Sequence, residues 1–236
     1  MKHVILEVIF CVGLISIAAY LFYDGRIRFN YPDRNEFPLL GIDISHHQGK
    51  IDWQRLREEK LSFVIVKATE GGDFKDPLFN ENWKACKKEK YKFGAYRFYS
   101  FCKTGREQAQ NFMDVVPFDR HSLPPTIDLE FSGNCKTTKT DSVLVSEVRD
   151  FLILLESYYR KRPMIYATRE FYQKYLLNDF RDYPIWIRDI YRQPKLEGRD
   201  WVIWQFANRA HLKGINTYVD LNVVNGKSLD PLLTTF

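Results

Sequence analysis

Cysteine is scarce in this chain, with four in 236 residues, and no two of them form a Cys-x-x-Cys pair; no His-x-x-x-His spacing occurs either. Both absences argue against a structural zinc site. No Gly-x-Gly-x-x-Gly or Walker pattern follows any strand-like run, so the chain lacks the phosphate loop that an open, doubly wound nucleotide-binding sheet normally carries. Charge of one sign is also missing: 35 Lys and Arg stand against 30 Asp and Glu, for a net +5. The cations are scattered through helical stretches such as Lys84, Lys87, Lys88 and Lys90, which reads as a solvated helix face and not as a nucleic-acid groove. A mildly basic surface would still favour encounter with an anionic polymer such as a bacterial wall. No cofactor or metal is expected.

Long apolar runs are absent but for one. Val8 to Tyr23 is uncharged, and with Val4 to Glu7 it reaches about 20 residues, enough to cross a bilayer core. Residues 1–23 are therefore expected to be a membrane anchor or a signal peptide, with Ser16 and Ala18 as the small residues of a possible cleavage site. The anchor is favoured, because the apolar run continues through Leu21 and Phe22. Either reading exports the rest, leaving it anchored at the cell envelope or secreted. Arg26 and Arg28 compete with Lys2, so the charge rule does not fix orientation. Residues 24–38, with Pro32 and Pro38, read as a linker, and residues 39–236 as one domain, expected to be monomeric.

In that domain strand-like and helix-like segments alternate. Eight strand candidates cover 39–45, 62–68, 92–99, 125–131, 163–168, 184–189, 201–206 and 218–224. Helices are expected near 52–60, 76–90, 105–115, 140–160 and 169–177. This alternation predicts an α/β fold, an irregular (β/α) barrel. Between Trp201 and Val224 there is room only for a loop, so the last strands should pair as a hairpin. Cys102 and Cys135 each follow a strand; if those strands are parallel neighbours, a Cys102–Cys135 disulfide would brace adjacent loops, leaving Cys86 as a core thiol.

The segment PPTIDLEF places Asp128 and Glu130 two residues apart, on one face of a strand. Alone, such a pair is more often two solvated acids on an edge strand. Here the other strand ends are polar too: Asp43 on the first, Lys67 and Glu70 on the second, Tyr96 and Arg97 on the third, Tyr166 on the fifth, Trp186 and Asp189 on the sixth, Gln205 on the seventh, Asp220 and Asn222 on the eighth. Packing has no use for so many polar groups at one end of a barrel, whereas acids ringed by Tyr and Trp suit a sugar cleft.

The ordered set GIDISHHQGKIDW, VKATEG, GAYRFY, PPTIDLEF, IYAT and WQF followed by VDLN resembles the lysozymes of glycoside hydrolase family 25, the Chalaropsis-type muramidases, from Leu39 onward. The resemblance implies a flattened barrel that hydrolyses the β-1,4 bond between N-acetylmuramic acid and N-acetylglucosamine in peptidoglycan. It assigns Glu130 as general acid, Asp128 as its partner, and Asp43 and Asp220 as two further acids. Glu130 needs a raised pKa, which burial and repulsion from Asp128 would supply. An ionised Asp128 could orient the substrate acetamido group as internal nucleophile. Tyr96, Tyr166, Trp186, Gln205, Lys67, Glu70 and Asp189 are expected to bind glycan. Arg97 departs from the family pattern, since a guanidinium beside the acids would oppose protonation of Glu130; strand alternation should turn it away. A silent glycan-binding domain and a hard-cation site built from the four acids are the competing readings. No wall-binding repeat follows the barrel pattern, so affinity is expected from the cleft itself.

Overall fold

The structure, a computed structural model, describes residues 2–234. The apolar run forms helix α1 (Lys2–Tyr23), exposed along almost its whole length and long and apolar enough to cross a membrane. Its exit is fixed by specific contacts. Gly25 takes φ +81°, and a Cβ at that position would collide with the Arg209 carbonyl oxygen. Arg209 Nη1 donates to the Tyr23 carbonyl at 2.9 Å, and the Tyr218 hydroxyl donates to Asp24 at 2.6 Å. The rest of the 24–38 segment lies along the body of the protein. Asn30 Nδ2 donates to the carbonyls of Ile190 and Phe206, and Phe37 packs against Trp201 and Trp204.

Nine strands follow: β1 (Leu40–Ile44), β2 (Phe63–Glu70), β3 (Phe74–Lys75), β4 (Lys92–Phe98), β5 (Thr126–Leu129), β6 (Met164–Thr168), β7 (Ile185–Arg188), β8 (Ile203–Ala210) and β9 (Val219–Val224). Between them stand α2 (Trp53–Leu56), α3 (Phe79–Lys88), α4 (Gly105–Val115), α5 (Asp141–Tyr159) and α6 (Arg169–Phe171), which continues as a π-turn; α7 (Asp230–Leu233) ends the described chain. Side-chain caps start the two long crossover helices, Thr104 on Glu107 N–H for α4 and Thr140 on Val143 N–H for α5. Gly105 lets these helices touch, because a Cβ there would meet the Glu147 carbonyl.

The strands run in the order β1-β2-β4-β5-β6-β7-β8-β9, and β1 also pairs with β9, so the barrel closes. Every pair from β1 to β8 is parallel, and β9 runs antiparallel to both its neighbours. The eight expected strands are all present, and the expected terminal hairpin is β8–β9. The addition is β3, two residues folded back on the end of β2. The segment between β7 and β8 has no helix, which makes the barrel irregular.

Strand alternation divides the core into two compartments. Outward-facing residues such as Val64, Val66, Ile127, Ile165 and Ile187 join the helices in one large apolar cluster. Inward-facing Phe63, Ile65, Met164, Ile203 and Val224 fill the lower barrel. Each fully buried side chain of this kind contributes roughly 1.5–3 kcal/mol. Above them the inward positions turn polar, so the barrel is sealed below and carries a polar cavity at the strand ends. The Cys102–Cys135 disulfide is formed, with Cα atoms 6.2 Å apart, and Cys86 is a buried free thiol.

Candidate active site

At the C-terminal ends of the parallel strands, a cavity of about 160 Å³ is lined by Asp43, Lys67, Tyr96, Phe98, Asp128, Glu130, Tyr166, Trp186, Gln205 and Asp220. Nine of the eleven side chains singled out from the sequence as catalytic or glycan-binding thus meet in one place. Two do not. Glu70 stands outside, tied to Lys67 Nζ at 2.7 Å. Asp189 faces a neighbouring hollow, where its Oδ1 accepts the backbone N–H groups of Tyr191 and Arg192.

The sheet register explains the gathering of the acids. Asp43 and Asp220 are direct partners across the antiparallel β1–β9 pair, which sets their side chains together on the inner face. Asp128 lies on β5 and Glu130 just beyond its end, so they share that face at successive heights. A chain of hydrogen bonds fixes Asp43: Asn222 Nδ2 and Gln205 Nε2 donate to its Oδ2 at 2.7 and 3.1 Å. Trp186 Nε1 holds Asn222 Oδ1 at 2.7 Å, and the Tyr166 hydroxyl holds Gln205 Oε1 at 2.9 Å. Trp186 also packs edge-on against Tyr166 and Tyr96, giving a rigid aromatic wall.

Burial raises the pKa of all four acids. For Asp128 the rise is large, because Glu130 and Asp43 add repulsion to burial. Glu130 is raised by burial against an opposing pull, first from Arg188 and then from Lys67. Asp220 is pushed well up by burial and by Asp43, to which it is hydrogen-bonded, while the amide donors hold Asp43 closer to its usual range. Burial thus favours the protonated form of each of the four carboxyl groups and the neutral form of Tyr96 and Tyr166 beside them. One oxygen is left over: Asp128 Oδ1 is buried and has no hydrogen-bond partner in the protein. Among the described residues, no three His, Cys, Asp or Glu side chains are grouped so as to hold a metal ion.

Arg97, the departure noted in the sequence, does point out of the barrel. Its guanidinium donates to the carbonyls of Gln108 and Gly71 and to Gln108 Oε1, and lies over Phe151. The guanidinium whose charge reaches the acids is Arg188, at the end of β7. The signal was there to read: Arg188 is two residues after Trp186 on the same strand, hence on the same face.

Comparison with known proteins agrees with this geometry. The family described as glycosyl hydrolases family 25 matches residues 42–215. The chain belongs to glycosyl hydrolase family 25. A solved family 25 glycosyl hydrolase from Bacillus anthracis superposes with a TM-score of 0.81 at 35% identity, covering 89% of this chain and 98% of that one. An uncharacterized Escherichia coli protein, YegX, is 34% identical over 196 residues, 80% of this chain and 71% of that protein. Lysozyme M1 of Streptomyces globisporus is 26% identical over 203 residues, 80% of this chain and 69% of the lysozyme. The chain is accordingly a glycoside hydrolase.

Proposed function

We propose that this family 25 chain is an exported muramidase that cleaves the β-1,4 bond between N-acetylmuramic acid and N-acetylglucosamine in peptidoglycan. The observation that carries the reading is the unpartnered Asp128 Oδ1 beside Glu130, in a cavity walled by Trp186, Tyr96 and Tyr166. A buried carboxylate oxygen without a donor is costly, and the acetamido N–H of an N-acetylated sugar is the donor that would complete it. Binding that N–H favours the ionised form of Asp128. The new charge then repels ionisation of Glu130, so the proton comes to rest on Glu130, where the leaving oxygen needs it. With its N–H held by Asp128, the acetamido carbonyl oxygen is poised to attack the anomeric carbon as the glycosidic bond breaks. Water later opens the resulting ring, with Glu130 taking back a proton. Asp43 and Asp220, sharing a proton across β1 and β9, stabilise the positive charge that develops between them and the pair.

Export is supported by the exposed apolar α1 and by the Cys102–Cys135 disulfide, which suits an oxidising compartment. With α1 in a membrane, the Tyr23–Asp24 contacts to Arg209 and Tyr218 would hold the barrel close to the lipid surface. The deciding experiment is digestion of purified peptidoglycan by the full chain in detergent, followed by identification of the new reducing-end sugar. Muramic acid there is the expected result. Glucosamine would refute the bond assignment, and binding with no product would make the chain a silent glycan-binding domain.

A further inference from the structure

Next to the acid cavity, over the ends of β5, β6 and β7, lies a second hollow of about 470 Å³. Three arginines line it, Arg169, Arg188 and Arg192, and they are not equivalent. Arg169 and Arg192 both lean toward one carboxylate, Asp189 Oδ2, at 3.5 and 3.9 Å. The Arg188 side chain makes no hydrogen bond or ion pair among the described residues. It also stands on the ridge between the two spaces, lining this hollow while its charge is felt by Glu130 and Asp220 in the other. The remaining wall holds the Glu170 carboxylate and Ile190, the rings of Phe131 and Tyr191, and the hydroxyls of Ser132 and Thr168.

Sugar hydroxyls can be met by neutral donors and do not call for a free guanidinium. A planar, permanently charged fork matches a carboxylate, to which it can give two parallel hydrogen bonds. In muramic acid the carbon bearing the lactyl ether adjoins the carbon bearing the acetamido group. A ring placed with its acetamido on Asp128 therefore sends its lactyl substituent out within one sugar's width of that contact. The hollow is far larger than a lactyl group requires and lies within the size range of pockets that hold extended ligands. Resting on the muramidase reading above, we propose that this hollow receives the peptide carried by the lactyl group of muramic acid, and that Arg188 binds a carboxylate of that peptide. Peptide-substituted strands are then the preferred substrate, with Arg188 as the residue that sets the preference.

The test uses the full chain on three soluble substrates: wall glycan strands with their peptides, the same strands stripped to the free lactyl carboxylate, and an N-acetylglucosamine oligomer without carboxylates. The wild type is expected to show a kcat/KM about tenfold higher on peptide-bearing than on stripped strands, the worth of one good charged hydrogen-bonding contact. Arg188→Met should abolish that ratio and Arg188→Lys should keep part of it. Because the readout is a ratio within each variant, any effect of Arg188 on the acids cancels. Equal cleavage of both strands by the wild type, or an unchanged ratio in Arg188→Met, overturns the proposal alone. A preference for stripped strands that Arg188→Met removes also overturns it, by assigning the contact to the lactyl carboxylate. Failure to cleave either strand overturns the muramidase reading and the proposal with it.

Discussion

Tyr96 and Arg97 are neighbours on β4, yet their side chains lie on opposite sides of the barrel wall, and the charges buried on those two sides are handled in different ways. Outside, Arg97 is wholly buried and nearly satisfied: both terminal nitrogens have carbonyl partners and only Nε lacks one. Burial still draws its pKa down to about 9. Its fixed contacts tie β4 to the Gly71 turn and to α4, so this buried charge serves architecture. Inside, four carboxyl groups crowd a small cavity with two cations within electrostatic reach, and one buried oxygen has no partner at all. Such an arrangement stores electrostatic strain that a bound sugar can release. A buried charge that is satisfied stabilises a fold, whereas a set left unsatisfied reports chemistry.

The largest test breaks the inner side. Glu130→Gln keeps the shape and removes the proposed proton donor, so lysis of peptidoglycan should fall by about 10²–10⁴-fold, while circular dichroism and thermal melting stay native-like. Full lysis by the pure variant would remove Glu130 from the mechanism. Breaking the outer side should do the reverse. Arg97→Leu strands the buried acceptors of Gln108 and Gly71 and should cost about 3 kcal/mol in urea unfolding, with kcat per folded molecule little changed. A large drop in kcat without loss of stability would place Arg97 in the site after all.

The inner acids also make a stability prediction with a definite sign. Their folded pKa values lie above those of the unfolded chain, so the folded state binds more protons between the two. Their contribution is greatest below the unfolded carboxylate range and is lost as pH rises through the elevated folded values. Asp220→Asn removes one such group. It should therefore raise Tm at neutral pH, by roughly 2–4 °C for a gain of about 1 kcal/mol, and this gain should vanish near pH 4. Activity should fall in the same variant. A lower Tm at neutral pH would show that the Asp43–Asp220 contact is worth more than the repulsion it contains.

Much of this contrast was legible in the sequence, because it rests on the two-residue period of strands. Eight strands and the gathering of Asp43, Asp128, Glu130 and Asp220 at one end follow from where polar residues interrupt apolar runs. The outward turn of Arg97 follows from the same alternation. What was not legible depends on how loops return. Asp189 ends a strand-like run, but its side chain caps the following turn through the N–H groups of Tyr191 and Arg192, and so it leaves the cavity for the hollow beside it. Glu70 passes the last inward position of β2 and reaches only Lys67. Attachment of residues 24–31 to the barrel rim was invisible too, since it depends on Asp24 meeting Tyr218 across 194 positions.

The smallest effect sharpens the comparison most, because it concerns an arginine that shares a feature with each side. Arg188 is on the inner face, like the acids, yet it has no fixed partner, unlike Arg97. Its charge lowers the pKa of Glu130 and of Asp220 against the upward push of burial. Removing it in Arg188→Met should let the Glu130 pKa rise. A general acid works only while protonated, so the alkaline limb of the kcat profile should move to higher pH, by less than about one unit for a partly solvated cation. The acidic limb should move less, because the main influences on Asp128 are burial, Glu130, Asp43, Lys67 and Asp220. A shift of both limbs together would mean that the two carboxyl groups titrate as a single unit in the complex. An alkaline limb that moves down would show that Arg188 acts on Glu130 by position and not by charge.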